Sequence, residues 1–484
     1  MSKSSVAVVS TLLFALIGAS SLGACGSDDG ETEDNLRPGE RKLVGPAVPY
    51  KADPALRART EELALSQKKR REVAWKAIAK ILQPVKVQEK MIKLDADGGL
   101  LDAGQPRDGG TLATVTLPVF RTWYGRDDFE RIFGKAYGDL TKTQRKNRTP
   151  FTEKQIDKVF DWNATSAGSW SNDDYIRRIK AVVDQQGVQG LGGNGRVSYS
   201  PGYFRHFLRN YGTAYKCLKI LPTLADDAPP PSATNFSQCY KTEFPIDAAV
   251  IKASWSRNAF DNKVTVHDTS AAALKSRMDG SADNGGWGNG DHEVTPTANQ
   301  IYTMKTSDGS SYWLNGIHLI TKELRDWLWI TIWFSDTPDS DFGADRPAEI
   351  KALGAPWTNY KMAVATAYDE RDPDPKGGFT GSLGDALKAV YPDAVGGPSW
   401  ASNPYIEKGD KNAQTNCIGC HQHAGLPGLG PEGILADEAK FPKAGRTKVR
   451  KSFPTDYTWS FDFPPEAFVR TIETQIVHYD GVDR

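Results

Sequence analysis

Apolar residues change their period twice along this chain. Within residues 55–83 they recur as Ala74, Ile78, Ile81, Leu82 and Val85, the i, i+4, i+7, i+8, i+11 spacing of one helix face, and Pro84 marks the end. The basic run Lys68-Lys69-Arg70-Arg71 precedes that face and reads as a solvated helix surface. Residues 113–240 remain mixed and largely helical. Asp127-Asp128 opens a helix that turns Phe129, Ile132, Phe133 and Ala136 inward, and a second begins after Thr152 with Ile156, Val159 and Phe160 inward. Asp173-Asp174 caps residues 175–183, and residues 203–208 form a short helix carrying His206.

From residue 244 the period shortens. Residues 249–255, 300–305, 312–321 and 327–334 are rich in β-branched and aromatic side chains and read as strands of an antiparallel unit. In the last of them Thr331 and Trp333 share a face with Trp327 and Trp329, while Leu328, Ile330, Ile332 and Phe334 form the other. A strand apolar on both faces is covered on both sides. Beyond residue 336 the chain is loop-rich, with helices expected over residues 360–368, 382–390 and 465–477.

These patterns predict an α+β chain: a helical N-terminal region, an antiparallel sheet unit and a loop-rich, mainly helical C-terminal region. The expected divisions are 1–25, a removable export segment; 26–54, an acidic, disordered tether; 55–112, a helix and a Gly/Asp linker; 113–240, a mainly helical domain; 241–345, the β unit; and 346–484, the C-terminal region. The loop 95–110 lacks the ligand spacing and terminal Glu of a calcium loop. Gly190-Leu191-Gly192-Gly193-Asn194-Gly195 matches a dinucleotide fingerprint literally, but no hydrophobic strand precedes it, so it reads as a loop.

Charge narrows the partners. Lys and Arg total 60 against 60 Asp and Glu, so no global basic field attracts nucleic acid. The N-terminus combines Lys3, a short apolar run over residues 6–17, and Leu22-Gly23-Ala24-Cys25. That run is too short for a permanent span. Small residues before a Cys resemble the lipobox of bacterial lipoproteins, in which Cys25 would be acylated; ordinary cleavage after Ala24 is the alternative. Gly26-Ser27 follows in place of Asp, so by resemblance the inner-membrane retention signal is missing. The expectation is a lipid-anchored chain in the cell envelope, facing the periplasm or the outer surface.

The most specific chemical signal is Cys417-Ile418-Gly419-Cys420-His421. Two thiols separated by two residues and followed at once by His form the attachment motif of c-type haem. Each thiol adds across a porphyrin vinyl group and the His then sits under the iron as the proximal ligand. A chance match is expected about once in a thousand chains of this composition. A redox CxxC would want a βαβ context, and zinc a second Cys/His pair, for which His423 could serve but a fourth ligand at motif spacing is missing. The implied cofactor is one covalent haem c with its iron. Cys25, Cys417 and Cys420 are then accounted for, leaving Cys217 and Cys239 to bridge in an oxidising compartment, around the Pro-rich stretch 221–237.

In small class I cytochromes c a Pro about ten residues beyond the motif accepts the proximal His N–H through its carbonyl, and Pro431 fits that place. The pattern then departs from that family, because no Met follows Met362 to serve as the distal ligand. His318, mid-strand on a face shared with Leu314, Gly316 and Ile320, leads the alternatives; His206, Met362, Met304 and the near-terminal His478 follow. His423 is too close in sequence to reach the opposite haem face.

Further residues carry a wider resemblance. Phe244-Pro245, Val250-Ile251-Lys252-Ala253-Ser254-Trp255, Asn315-Gly316-Ile317-His318-Leu319, Trp327-Leu328-Trp329 and Asn403-Pro404-Tyr405, with the Cys417 motif, resemble a group of exported bacterial mono-haem cytochrome c family proteins over roughly residues 120–470. The resemblance implies covalent haem and electron transfer to a redox partner protein. A haem enzyme of peroxidase or oxidase type, or a small-ligand binder with an open sixth position, is the alternative. A sheet-based binding module with accessory haem, suggested by the 13 Trp, is the third reading.

Overall fold

A computed structural model describes residues 41–44, 47–91, 113–160, 172, 175–176, 179, 195–223, 243–257, 263–306, 309–366, 400–414, 416–425, 431–437, 453–461 and 468–483. The expected α+β class is observed, but it is organised around one sheet that crosses the expected divisions. Its main path is β11 (Tyr360–Ala365), β10 (Leu328–Phe334), β9 (Ser311–Thr321), β5 (Ala249–Arg257) and β4 (Gly195–Tyr199), with β8 (Thr303–Lys305) also on β9. Every pairing is antiparallel, as is that of β6 (Val264–Val266) with β7 (His292–Val294) in a separate two-stranded sheet.

Strand β4 comes from the stretch expected to be a helical domain, and β11 from the expected C-terminal region. The boundaries at 240 and 345 therefore do not separate cores. One contiguous apolar cluster runs from Ala47 to Ile476. Residues 360–365 form a strand where a helix was expected. Every residue of Tyr-Lys-Met-Ala-Val-Ala there is buried, and periodicity alone does not separate a short, wholly buried strand from a helix.

The other strands match their sequence signal closely. All seven residues of β10 are buried, as its two apolar faces require. Trp327 lies just outside it, in a left-handed conformation with φ 63°. Register defines the two faces. Thr331 pairs with His318 and His318 with Lys252, which places these three on one face. Ile251, Leu319, Ile330 and Val364 line the other. Ser254 pairs with Gly316 but Trp255 with Leu314, so Asn315 is the extra residue of a bulge. The bulge removes Leu314 from the face of His318. With Lys252 and Thr331 as neighbours, that face is more polar than its sequence suggested.

The described residues of the expected tether and linker include strands and buried positions, while residues 26–40 and 92–112 lie outside the described residues. Strands β1 (Arg41–Val44), β2 (Pro84–Met91) and β3 (Ala113–Pro118) form a second antiparallel sheet, and Ala47 and Tyr50 are buried. The helix Gln67–Leu82 starts at Ser66, whose hydroxyl accepts from the Lys69 amide, and gives way to β2 at Pro84. It buries Ala74, Ile78, Ile81 and Leu82 as expected. Its basic run is not wholly solvated. Arg70 caps the Leu63 and Ala64 carbonyls, and Arg71 enters the core to meet Asp345 and the Met362 and Phe342 carbonyls. The helices Arg126–Gly138 and Phe468–Val482 join through stacked Phe129 and Phe468, 4.2 Å apart. Gly195, the last residue of the glycine-rich stretch, begins β4; residues 190–194 lie outside the described residues. Among the described residues no helix is long and apolar enough to cross a membrane. Residues 1–25, with Cys25 and the export signal, lie outside the described residues, as does the expected helix 382–390.

Candidate haem site

Asn416 builds the start of the site. Its side chain accepts from the Gly419 amide at 2.7 Å and caps the short helix Cys417–His421. Positions i, i+3 and i+4 of a helix share a face, so Cys417, Cys420 and His421 point the same way. Both thiols are buried and neither is in a disulfide. Burial raises the Cys417 thiol well above its ordinary value, with Glu407 adding to it.

His421 Nδ1 lies 2.9 Å from the Tyr457 carbonyl oxygen. A carbonyl only accepts, so Nδ1 carries the proton and Nε2 keeps its lone pair for a metal. The acceptor assigned to Pro431 from spacing is thus corrected to Tyr457. Pro431 opens the helix Pro431–Ala436, whose Leu435 packs against Cys420. Burial lowers the His421 imidazole to about 4. The Tyr457 carbonyl and Glu407 oppose that shift, and His318 and Lys252 reinforce it. The ring is therefore neutral at physiological pH, the form that ligates a metal. Trp329 lies 4.7 Å and Trp459 5.9 Å from it, centroid to centroid.

The Tyr457 carbonyl is itself held in place. Asp456 and Tyr457 are both left-handed, at φ 50° and 66°, which is uncommon for non-glycine residues and needs support from the surroundings. Lys322 Nζ meets Asp456 Oδ1 at 2.7 Å, and the two side chains are 0% and 2% exposed. Trp327 Nε1 donates to the Asp456 carbonyl at 3.0 Å, and the Tyr457 hydroxyl to Asp326 at 3.3 Å. The turn between β9 and β10 thus straps down the segment that orients His421.

The sheet face carrying His318 turns toward this helix. Asn403 Nδ2 donates to Thr331 Oγ1 at 2.8 Å and to the Ile332 carbonyl at 2.9 Å. That seam brings Glu407, whose Oε2 accepts from the Asn403 amide, to 3.6 Å from His318 Nε2. The separation is too long for a hydrogen bond, and among the described residues the buried His318 Nε2 has no hydrogen-bond partner. Trp329, beside His421, and Thr331, opposite His318, are alternate residues of one strand on one face. The fold therefore gathers His421, His318, Glu407 and Lys252 around one site.

The other distal candidates are placed elsewhere. His206 lies 4.2 Å from the Phe244 ring, and burial, then Arg209 and Lys322, hold its pKa down to about 3. Met362 pairs with Ile332 on the face opposite His318, Met304 is buried on β8, and His478 packs edge-on to Tyr479 in the last helix. His423 is buried beside the motif. Cys217 is disulfide-bonded, and Cys239, its expected partner, lies outside the described residues. Sequence reading missed Tyr457 and Glu407, and named Lys252 only as part of a strand and of the resemblance. Asn403, which seats Glu407, was singled out only through the resemblance.

Porphyrin supplies four of an iron's ligands, so haem asks the protein for one or two. Two buried thiols and an imidazole with a free Nε2 fit that demand. Among the described residues no three His, Cys, Asp or Glu converge to cage a bare metal ion. Compared with family models, curated proteins and solved structures, the chain matches none.

Proposed function

We propose that this chain is a mono-haem c-type cytochrome that transfers electrons at the cell envelope. One observation carries the reading: two buried, unbridged thiols share a helix face with an imidazole whose Nδ1 is committed to the Tyr457 carbonyl. Cys417 and Cys420 would hold the haem and His421 would ligate from the proximal side. The bound group would supply a one-electron Fe(III)/Fe(II) couple. His318 is the sixth ligand in this reading, chosen because its Nε2 is buried, unpartnered and on the face turned to His421. Asn403 seats Glu407 beside it, and Lys252 adds a positive charge across the strand pair. A redox partner protein would exchange the electron, and lipid on Cys25 would tether the chain to the membrane. Nothing in the charge balance recommends a nucleic acid.

The Glu407–His318 juxtaposition also favours a second reading. It is an acid/base pair facing the proximal His, the arrangement a haem enzyme with an open sixth position would use. Spectra of the purified full chain separate the two. Haem that stays with the protein in acidified organic solvent supports attachment, and haem that extracts freely from the wild type overturns it. Low-spin iron in both oxidation states supports a carrier. A high-spin ferrous form that takes up CO readily supports the enzyme.

A further inference from the structure

The sheet face opposite His318 holds a second unfinished polar site. Arg196 pairs with Ala253 and His318 with Lys252, so Arg196 and His318 face opposite ways. Next to Arg196 is Arg121, only 1% exposed. Among the described residues its guanidinium meets neutral partners alone: Asn172 Oδ1 at 2.9 Å and the Tyr302 hydroxyl. Its Nε and Nη1 are buried with no hydrogen-bond partner among the described residues. The Tyr175 and Ser198 hydroxyls and Trp255 Nε1 are likewise buried and unpartnered.

These groups belong together. The Arg121 guanidinium carbon lies 4.1 Å from the Tyr175 ring centre and 5.9 Å from that of Trp255. The Arg196 guanidinium lies 4.3 Å from the same Tyr175 ring, and Ser198 is two residues from Arg196 on the same face of β4. Ring faces compensate a cation in part, but they leave in-plane N–H donors unsatisfied. The nearby carboxylate, Asp128, already accepts from Arg131 at 2.7 Å and from the Gly125 amide at 2.8 Å. Arginine does not shed its proton in a protein, so burial cannot neutralise it as it can a histidine or lysine. A buried charge without a counter-ion is strongly disfavoured, and native structures fill such vacant donors with water or an ion. Every unpartnered group here can donate, and the Arg121 guanidinium sets the sign.

We propose that Arg121, Tyr175, Ser198 and Trp255, beside Arg196, form a binding site for a small oxyanion, either inorganic phosphate or a short carboxylate. The site lies across the sheet from the haem site and does not depend on that reading. It is tested on the full chain by thermal shift and calorimetry, with phosphate in one arm, acetate and succinate in the other, and sodium chloride at matched ionic strength as the reference. Binding to the folded state raises the melting temperature in a saturable way. The expected result is saturable stabilisation by one of the two arms, which also names the source. Arg121→Lys should weaken it at least tenfold, because an ammonium lacks the planar array of donors. Arg121→Met should abolish it. If Arg121→Met does not fold, Arg121→Lys and Tyr175→Phe decide, and both should bind more weakly. No saturable shift in the wild type with any of these anions overturns the proposal. Unchanged affinity in the Arg121→Lys and Tyr175→Phe variants overturns it equally.

Discussion

The two faces of the main sheet each hold a buried nitrogen group whose hydrogen bonding is incomplete, His318 on one and Arg121 on the other. The difference between them is chemical. Imidazole can lose its proton, and its bare nitrogen can then ligate a metal. Guanidinium keeps its charge and only donates, so its empty valence asks for an anion. Their surroundings agree with that division. His318 has Glu407 at 3.6 Å and the His421 imidazole facing it, whereas Arg121 has aromatic rings and neutral oxygens. Incomplete hydrogen bonding marks a site, and proton affinity decides what the site can take.

The largest effect tests the haem side outright. Replacing both Cys417 and Cys420 by Ala should leave haem that extracts completely into acidified organic solvent. The wild type should retain it, and equal extraction from both would remove haem from the comparison. Next comes His318→Ala. Covalent haem should remain, while the iron becomes high-spin or water-ligated, and added imidazole should restore the low-spin spectrum. An unchanged low-spin spectrum moves the sixth ligand away from β9.

A smaller effect is expected at the strap. Lys322→Met leaves Asp456 buried and unpaired, which should cost about 3–5 kcal/mol in denaturant unfolding. If the strap orients the Tyr457 carbonyl, the variant should also raise the reduction potential, because His421 loses the bond that increases its basicity. Destabilisation with no change in potential would make the strap purely structural.

The smallest and most distributed effect is on pH dependence. Burial holds His206 and His267 down to about 3, against an unfolded value near 6.5. Between those values the unfolded chain binds more protons than the folded one. Stability therefore rises with pH in that window and falls as acid is added from pH 6.5 downward, by at most about 1.4 kcal/mol per unit for each ring. His206→Phe should flatten the slope measured by unfolding at a series of pH values. Arg121 variants should leave the slope alone, since guanidinium does not titrate there.

Local pattern carried much of this protein. The helix Gln67–Leu82 follows from its 3.6-residue period, and strands β5, β9 and β10 from runs rich in β-branched and aromatic residues, both signals of local sequence. The CxxCH run is equally local, because its two thiols and imidazole lie within about one helical turn. Tertiary structure decided what periodicity cannot express. Strand β11 is buried throughout, so its sequence has no face to reveal. The bulge at Asn315 changes which residues accompany His318, and it exists only in the pairing of β5 with β9. Tyr457 reaches His421 across 36 residues through a backbone carbonyl, an atom every residue has and no sequence pattern marks. Glu407 meets His318 across 89 positions because Asn403 fastens its segment to β10. Arg121, Tyr175 and Trp255 are ordinary residues in sequence and become a site only because folding removes water from all three at once.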